Sequence, residues 1–133
     1  MARLFTPSEV QALIPLLEMH FGRLLIGRDE RNRLVAERAY ASSSRQQELD
    51  LAIEALTAEL RELADRIAAL GGEVKDFERG LVDFPCQRGT ETVCLCWQYG
   101  EKRLAFWHTV EEGFAGRKPI ETDDEAQQVR LLN

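Results

Sequence analysis

Apolar residues recur at helical spacing through the first 70 positions of the chain. Between positions 49 and 70 the steps alternate between four and three, a pattern typical of a coiled-coil seam. The seam residues are Leu49, Ile53, Leu56, Leu60, Leu63, Ile67 and Leu70. An earlier apolar stripe recurs at Leu17, Phe21, Leu24, Leu25, Leu34 and Val35, with a highly polar stretch at 28–33. Both patterns predict long amphipathic helices.

Cap and turn signals divide this region into two arms. Residues 6–9 read Thr-Pro-Ser-Glu, which is a capping box with proline at the first helical position. The serines at 42–44 offer a turn and a cap, and the glycines at 71–72 a stop. We expect an antiparallel helical hairpin over residues 6–71, with arms of about 40 Å. Pro15 predicts either a kink or a short first helix.

After Gly72 the pattern changes to short runs rich in β-branched and aromatic residues. The predicted strands lie around Val74–Phe77, Gly80–Pro85, Thr92–Gln98 and Arg103–Thr109. The predicted fold class is therefore α+β: a long, coiled-coil-like antiparallel helical hairpin packed on a small antiparallel β-sheet of three to four strands. We expect a single domain over residues 1–133, with the β-rich motif at 73–120. The tail at 121–133 is predicted either to form a short helix or to fray.

The register of the last predicted hairpin decides which side chains share a face. A two-residue loop containing Gly100 groups Val93, Leu95, Trp97, Leu104, Phe106 and His108, and leaves Cys94, Cys96, Ala105 and Trp107 on the other face. A three-residue loop at 100–102 instead brings Cys94, Cys96 and His108 together. Both faces are apolar, so the second must be covered by Leu4 and Phe5, by the tail or by a second copy. We therefore expect a homodimer.

Composition narrows the classes of function. The net charge of −6 opposes binding to nucleic acid. No run approaches the roughly 18 consecutive apolar residues of a membrane span, and the start lacks the apolar core of a secretory signal. The three cysteines are an odd number, which favours reduced thiols over a disulfide framework. We expect a cytoplasmic protein with no nucleic-acid and no membrane partner.

Several motifs together resemble domain-of-unknown-function family 2203, a family of uncharacterised bacterial and archaeal proteins. The residues that carry the resemblance are Phe5-Thr6 with Glu9 and Pro15, Val74-Lys75-Asp76, Gly80-Leu81-Val82-Asp83-Phe84-Pro85, Leu95-Cys96-Trp97, Gly100-Glu101, Trp107-His108 and Gly113-Phe114-Ala115-Gly116-Arg117. The resemblance spans roughly residues 3 to 120 and implies no particular activity.

A transition-metal site is the sharpest chemical hypothesis for the β-rich half. Its candidate ligands are Cys96 and His108, joined by Asp83 or Cys94, because thiolate, imidazole and carboxylate are the usual ligands of such ions. The alternative is structural, with Cys96 as a small apolar core residue and His108 hydrogen-bonded to Asp83 or Glu101. No paired CxxC or HExxH motif is present, which favours the structural alternative.

An anion site is the second chemical hypothesis. The loop at 113–118 could offer backbone amides and the cations Arg117 and Lys118 to a phosphate or carboxylate. The candidate ligand or anion site comprises Asp83, Glu101, His108 and Arg117. The alternative is a tight turn in which Phe114 fills the core and Arg117 pairs with Asp83 or Glu101.

Two functions follow from these observations. The first is a non-enzymatic interaction or assembly protein, which uses the helical hairpin and the two-faced sheet to bind a protein partner or a second copy. The second is a small-ligand, anion-binding or metal-binding protein, with or without enzymatic activity, whose site lies on the β-rich half.

Overall fold

In a computed structural model, which describes residues 3–120, two long helices precede a five-stranded sheet. Helix α1 spans Pro7–Arg38 and helix α2 spans Ser43–Ala69. The two helices pack against each other. The predicted helical hairpin on a small antiparallel sheet is confirmed, with five strands in place of three to four. The predicted tail at 121–133 lies outside the described residues.

The predicted caps form at both helix starts. Thr6 accepts a hydrogen bond from the Glu9 amide, and the Glu9 carboxylate accepts one from the Thr6 amide, which completes the capping box. Ser42 caps α2 by accepting from the Arg45 amide. These bonds satisfy amides that have no partner within the helix.

Pro15 lies inside α1, which continues through it. The alternative of a short first helix is therefore wrong, whereas a kink stays a prediction. Proline removes one hydrogen bond to the carbonyl four residues back. Pro15 is exposed, while Ile14 and Leu17 beside it are buried in the core. The helix thus loses its bond on the solvent side, where water can hydrate the carbonyl, and keeps its buried contacts.

The strands follow one another as an antiparallel meander in the order β1-β2-β3-β4-β5. They span Glu73–Asp76, Leu81–Arg88, Glu91–Gln98, Phe106–Thr109 and Lys118–Pro119. A 3₁₀-helix at Gly113–Gly116 links the last two strands. The fifth strand escapes prediction because two residues carry no alternating pattern.

The sheet packs one face on the helices, and the core lies between them. The inner face carries Val82, Phe84, Cys86, Val93, Leu95 and Trp97, which join the buried residues of α1 and α2 in one cluster. Phe5 also belongs to this inner side, where its ring meets Phe84 edge-on at 5.2 Å. Phe5 therefore does not cover the outer face.

The connection between β3 and β4 is longer than predicted, with seven residues from Tyr99 to Ala105. Its backbone bonds to other parts of the chain: the Leu104 amide donates to the Gln11 side chain on α1, and the Trp97 indole donates to the Glu101 carbonyl. The predicted strand start at Arg103 is wrong, because these bonds hold residues 101–105 outside the ladder.

This loop also sets the register. Cys94 lies opposite His108, and Cys96 lies opposite Phe106. Directly opposed residues share a face, so the two-residue-loop register was wrong for Phe106 and His108, and Cys94, Cys96 and His108 lie together on the outer face. It was also wrong for Trp107, which lies opposite Leu95 on the inner face. That grouping is the one that the three-residue loop predicted.

Among the described helices, α1 is long and apolar enough to cross a membrane by length and composition. Its Val10, Leu17 and Phe21 are fully buried in the core. The same length and composition are found in the core helices of globular proteins.

Candidate metal centre

Three side chains of different chemistry meet on the outer face of the sheet. Asp83 comes from β2, Cys96 from the opposite position on β3, and His108 from β4. One carboxylate oxygen, the thiol sulfur and one imidazole nitrogen all lie within 4.8 Å of one another. The three residues are 4%, 1% and 3% exposed. Side chains alternate between the two faces along each strand, and the pairing of β2, β3 and β4 places these three on the same face. They meet there although 25 positions separate Asp83 from His108.

Both nitrogens of the His108 ring face hydrogen-bond acceptors. Nδ1 lies 2.7 Å from the carbonyl oxygen of Thr109, which can only accept, so Nδ1 carries the hydrogen and donates it. Nε2 lies 3.0 Å from Oδ2 of Asp83. A neutral imidazole would direct a lone pair at a carboxylate there. A positive species therefore belongs between Nε2 and Asp83, either a proton or a metal cation.

One oxygen of the Asp83 carboxylate has no hydrogen-bond donor among the described residues. This oxygen, Oδ1, is buried. A buried acceptor without a partner costs about 1–3 kcal/mol. A carboxylate that had only to hold His108 in place would normally have its second oxygen satisfied as well.

The Cys96 thiol is held in its neutral form. Burial raises the pKa of Cys96 to about 12, and the negative charge of Asp83 acts in the same direction, while Arg117 opposes it. A thiol with this pKa is a poor nucleophile at neutral pH. The described partners of the two His108 ring nitrogens are the Asp83 carboxylate and the Thr109 carbonyl, and not the Cys96 sulfur. The cluster therefore lacks the arrangement of a cysteine–histidine nucleophile.

The other predicted anion-site residues form a separate pair. Arg117 Nη2 donates to the two Glu101 carboxylate oxygens at 2.8 and 3.0 Å and to the Cys96 carbonyl at 3.1 Å. Its guanidinium lies 4.1 Å from the centre of the Phe106 ring. Asp83, Glu101, His108 and Arg117 thus split into two ion pairs rather than converging on one ligand. The alternative pairing of Arg117 with Glu101 is the one found.

The loop at 113–118 does not offer free cations to an anion. Arg117 is occupied by Glu101, and Lys118 Nζ lies 2.7 Å from the Glu112 carboxylate. Phe114 is half-buried and stands outside the core cluster. The expectation that Phe114 fills the core is therefore wrong, because Phe114 lies on the outer side of the sheet, where it borders the same space as His108.

A cavity of about 250 Å³ opens on the three-residue cluster. Its wall contains all three cluster residues, together with Cys94, Lys75, Asp76, Arg79, Leu81, Val110, Gly113 and Phe114. Cys94 lines the cavity but does not belong to the compact cluster. Sequence reasoning missed Arg79 and Val110, because neither lies in a motif with recognisable chemistry. The role of the Thr109 carbonyl was also not predicted, since every residue carries a backbone carbonyl.

Comparison with known proteins gives a family but no activity. No curated protein and no solved structure is significantly similar to the chain. Residues 3–120 match the family described as "Uncharacterized conserved protein (DUF2203)". This match covers the whole described structure, including both helices, the sheet and the three-residue cluster. The chain therefore belongs to the DUF2203 family.

Proposed function

We propose that this protein binds a transition-metal ion, such as Zn²⁺, through Asp83, Cys96 and His108. The observation that carries the proposal is the meeting of His108 Nε2 with Asp83 Oδ2 at 3.0 Å while Nδ1 donates to a backbone carbonyl. A cation between Nε2 and Oδ2 removes the repulsion between the nitrogen lone pair and the negatively charged oxygen. Metal-bound histidines characteristically donate their other ring N–H to a carbonyl or carboxylate, as Nδ1 does here.

The chemistry and spacing of the three groups support a metal over a proton. Carboxylate, thiolate and imidazole bind Zn²⁺ at about 2.0–2.3 Å, which puts neighbouring ligand atoms of a tetrahedron about 3.4–3.6 Å apart. The three atoms lie within 4.8 Å, so shifts of about an ångström suffice. A metal would also engage the Asp83 carboxylate and would bind the Cys96 sulfur as a thiolate, with release of the thiol proton to solvent, whereas a proton serves the Asp83–His108 pair alone.

Three protein ligands leave a fourth tetrahedral position. In zinc proteins this arrangement is typical of sites that bind a further molecule, whereas purely structural sites use four protein ligands. The cavity beside the cluster gives such a molecule a route to that position. The proposed function is therefore metal-dependent ligand binding, with or without turnover of the ligand.

Titration of the purified protein with Co²⁺ tests the proposal. A thiolate ligand produces a charge-transfer absorption band that carboxylate and imidazole do not. We expect one equivalent of Co²⁺ with this band in the wild type, loss of the band in Cys96→Ser, and its retention in Cys94→Ser. Cys94 is a matched control because it lines the same cavity outside the cluster. Absence of Co²⁺ binding by the wild type would overturn the proposal.

We propose in addition that the part of the hairpin outside the shared core, residues 26–59, mediates assembly. A homodimer is the first expectation. The observation in favour is apolar exposure: Ile26, Leu51 and Tyr40 are 71%, 70% and 95% exposed. Light scattering after size exclusion should give a dimer for the wild type and a monomer for Ile26→Gln combined with Leu51→Gln. A wild-type monomer at tens of micromolar would contradict this second role.

A further inference from the structure

We infer that the cavity above the cluster binds a small monocarboxylate with a short apolar chain. The inference rests on the proposed metal site, because the carboxylate would occupy the coordination position that faces the cavity. It adds the class of ligand, which follows from the size, the lining and the charge of the cavity.

The size of the cavity restricts the ligand to a small molecule. Its volume is about 250 Å³, smaller than the pockets that enclose drug-sized ligands. At about 30 Å³ for a water-sized group, this volume corresponds to about eight non-hydrogen atoms. A six-carbon monocarboxylate has this number.

The lining of the cavity is divided into a polar floor and apolar walls. The floor is the cluster of Asp83, Cys96 and His108, whereas Leu81, Val110 and Phe114 contribute side chains without polar atoms. Val110 is 65% exposed although it borders this space. A ligand with a charged head at the cluster and an aliphatic chain beside these three residues would remove that apolar surface from water.

The charges around the cavity favour a monoanion. Asp83 and a Cys96 thiolate together balance a divalent metal, so a bound carboxylate would leave one uncompensated negative charge. Arg79 and Asp76, both in the cavity wall, pair with each other at 3.7 Å and cancel. Lys75 remains as the cation that offsets the ligand.

Lys75 is free to turn towards such a ligand. Its described ion-pair partner is Glu73, at 3.1 Å, and the Glu73 side chain is 71% exposed. Exposed pairs of this kind contribute little to stability, so exchanging the partner costs little. Lys75 borders the same cavity as the cluster. The hydrogen bond to Glu73 raises the pKa of Lys75, and the charge of Asp83 contributes to the rise.

The test uses the Co²⁺-loaded full-length chain and follows its visible ligand-field bands, which change when an added ligand enters the coordination sphere. The probes are acetate, butyrate, hexanoate, hexanol and inorganic phosphate. We expect hexanoate to change the bands, and each added methylene between acetate and hexanoate to tighten binding about fourfold. Hexanol should have no effect. Lys75→Met should weaken hexanoate binding about tenfold, and Lys102→Met, outside the cavity, should leave it unchanged.

Each adverse outcome points to a different error. Normal Co²⁺ loading without any response to hexanoate would overturn the inference and leave the metal site intact. Tighter binding of phosphate than of hexanoate, or equal binding by hexanol, would overturn the monocarboxylate assignment. Unchanged hexanoate affinity in Lys75→Met would remove the charge argument. Failure of Co²⁺ to bind at all would overturn the proposed function and this inference together.

Discussion

Replacing Asp83 with asparagine separates a metal ligand from a structural partner. In the metal-free protein, the asparagine amide can donate to His108 Nε2 across the 3.0 Å now spanned by the ion pair. His108 Nδ1 keeps its bond to Thr109. The contact between Asp83 and His108 is exchanged for a neutral hydrogen bond of the same shape, so the free energy of unfolding should change by less than about 1 kcal/mol.

The effect of zinc should be large in the wild type and absent in Asp83→Asn. A metal at 100 times its dissociation constant stabilises the folded state by about 2.7 kcal/mol. Unfolding entropy is about 2.1 cal/mol/K per residue, or about 0.28 kcal/mol/K for the 133 residues of the chain. The melting temperature of the wild type should therefore rise by about 10 °C with zinc, whereas that of the variant should stay constant.

Differential scanning calorimetry with and without Zn²⁺, at fixed pH and protein concentration, measures both quantities. Equal zinc-induced shifts in the two proteins would refute the reasoning, because the metal would then bind elsewhere. A loss of about 3 kcal/mol or more in metal-free Asp83→Asn, without a zinc effect on the wild type, would show that the pair is structural.

Three further predictions concern the rest of the fold. Gly71→Ala should lower the free energy of unfolding in urea by about 3 kcal/mol, because Gly71 has φ +102° and a Cβ there would meet the Phe5 ring; Gly89→Ala, at φ +63° in open space, should cost about 1 kcal/mol. Arg117→Met should cost about 3 kcal/mol in the same assay, since it leaves a half-buried carboxylate without its charged donor, and a cost below 1 kcal/mol would contradict the pairing. In the metal-free native protein at pH 8, iodoacetamide should modify Cys94 faster than Cys96 by peptide mass spectrometry. Burial raises the pKa of both thiols, but Cys96 is 1% exposed and its pKa is raised to about 12, whereas Cys94 is only partly buried.

Much of the fold could be predicted because its local signals agree with its packing. The capping box at Thr6 and the seam from Leu49 to Ile67 depend on neighbouring residues, and they identified the helical hairpin. Loop geometry was less accessible. The seven-residue connection from Tyr99 to Ala105 is held by a bond to Gln11, which is 93 positions away from its partner Leu104. No local pattern encodes such a contact.

For the candidate site, too, local sequence signals were predictable and contacts between distant residues were not. Residue chemistry gave Cys96 and His108, with Asp83 or Cys94, as candidate ligands, but their convergence depended on a register that the sequence left open. Glu101 and Arg117 were grouped with them because charged residues in one motif-rich region invite a common role. The sequence left open whether Arg117 pairs with Asp83 or with Glu101. The choice of Glu101 and the contact of Arg117 with Phe106 result from the packing of the loop against β4.

The core shared by the helices and the sheet includes no residue from 26 to 59, all of which lie in the described part of the chain. This distal half of the hairpin therefore projects beyond the core and joins it at one end. Insertions there should be tolerated if both arms lengthen together by whole heptads, since the predicted coiled-coil seam then keeps its register and no strand moves. The reach of the hairpin can thus change during evolution independently of the chemistry on the far face of the sheet.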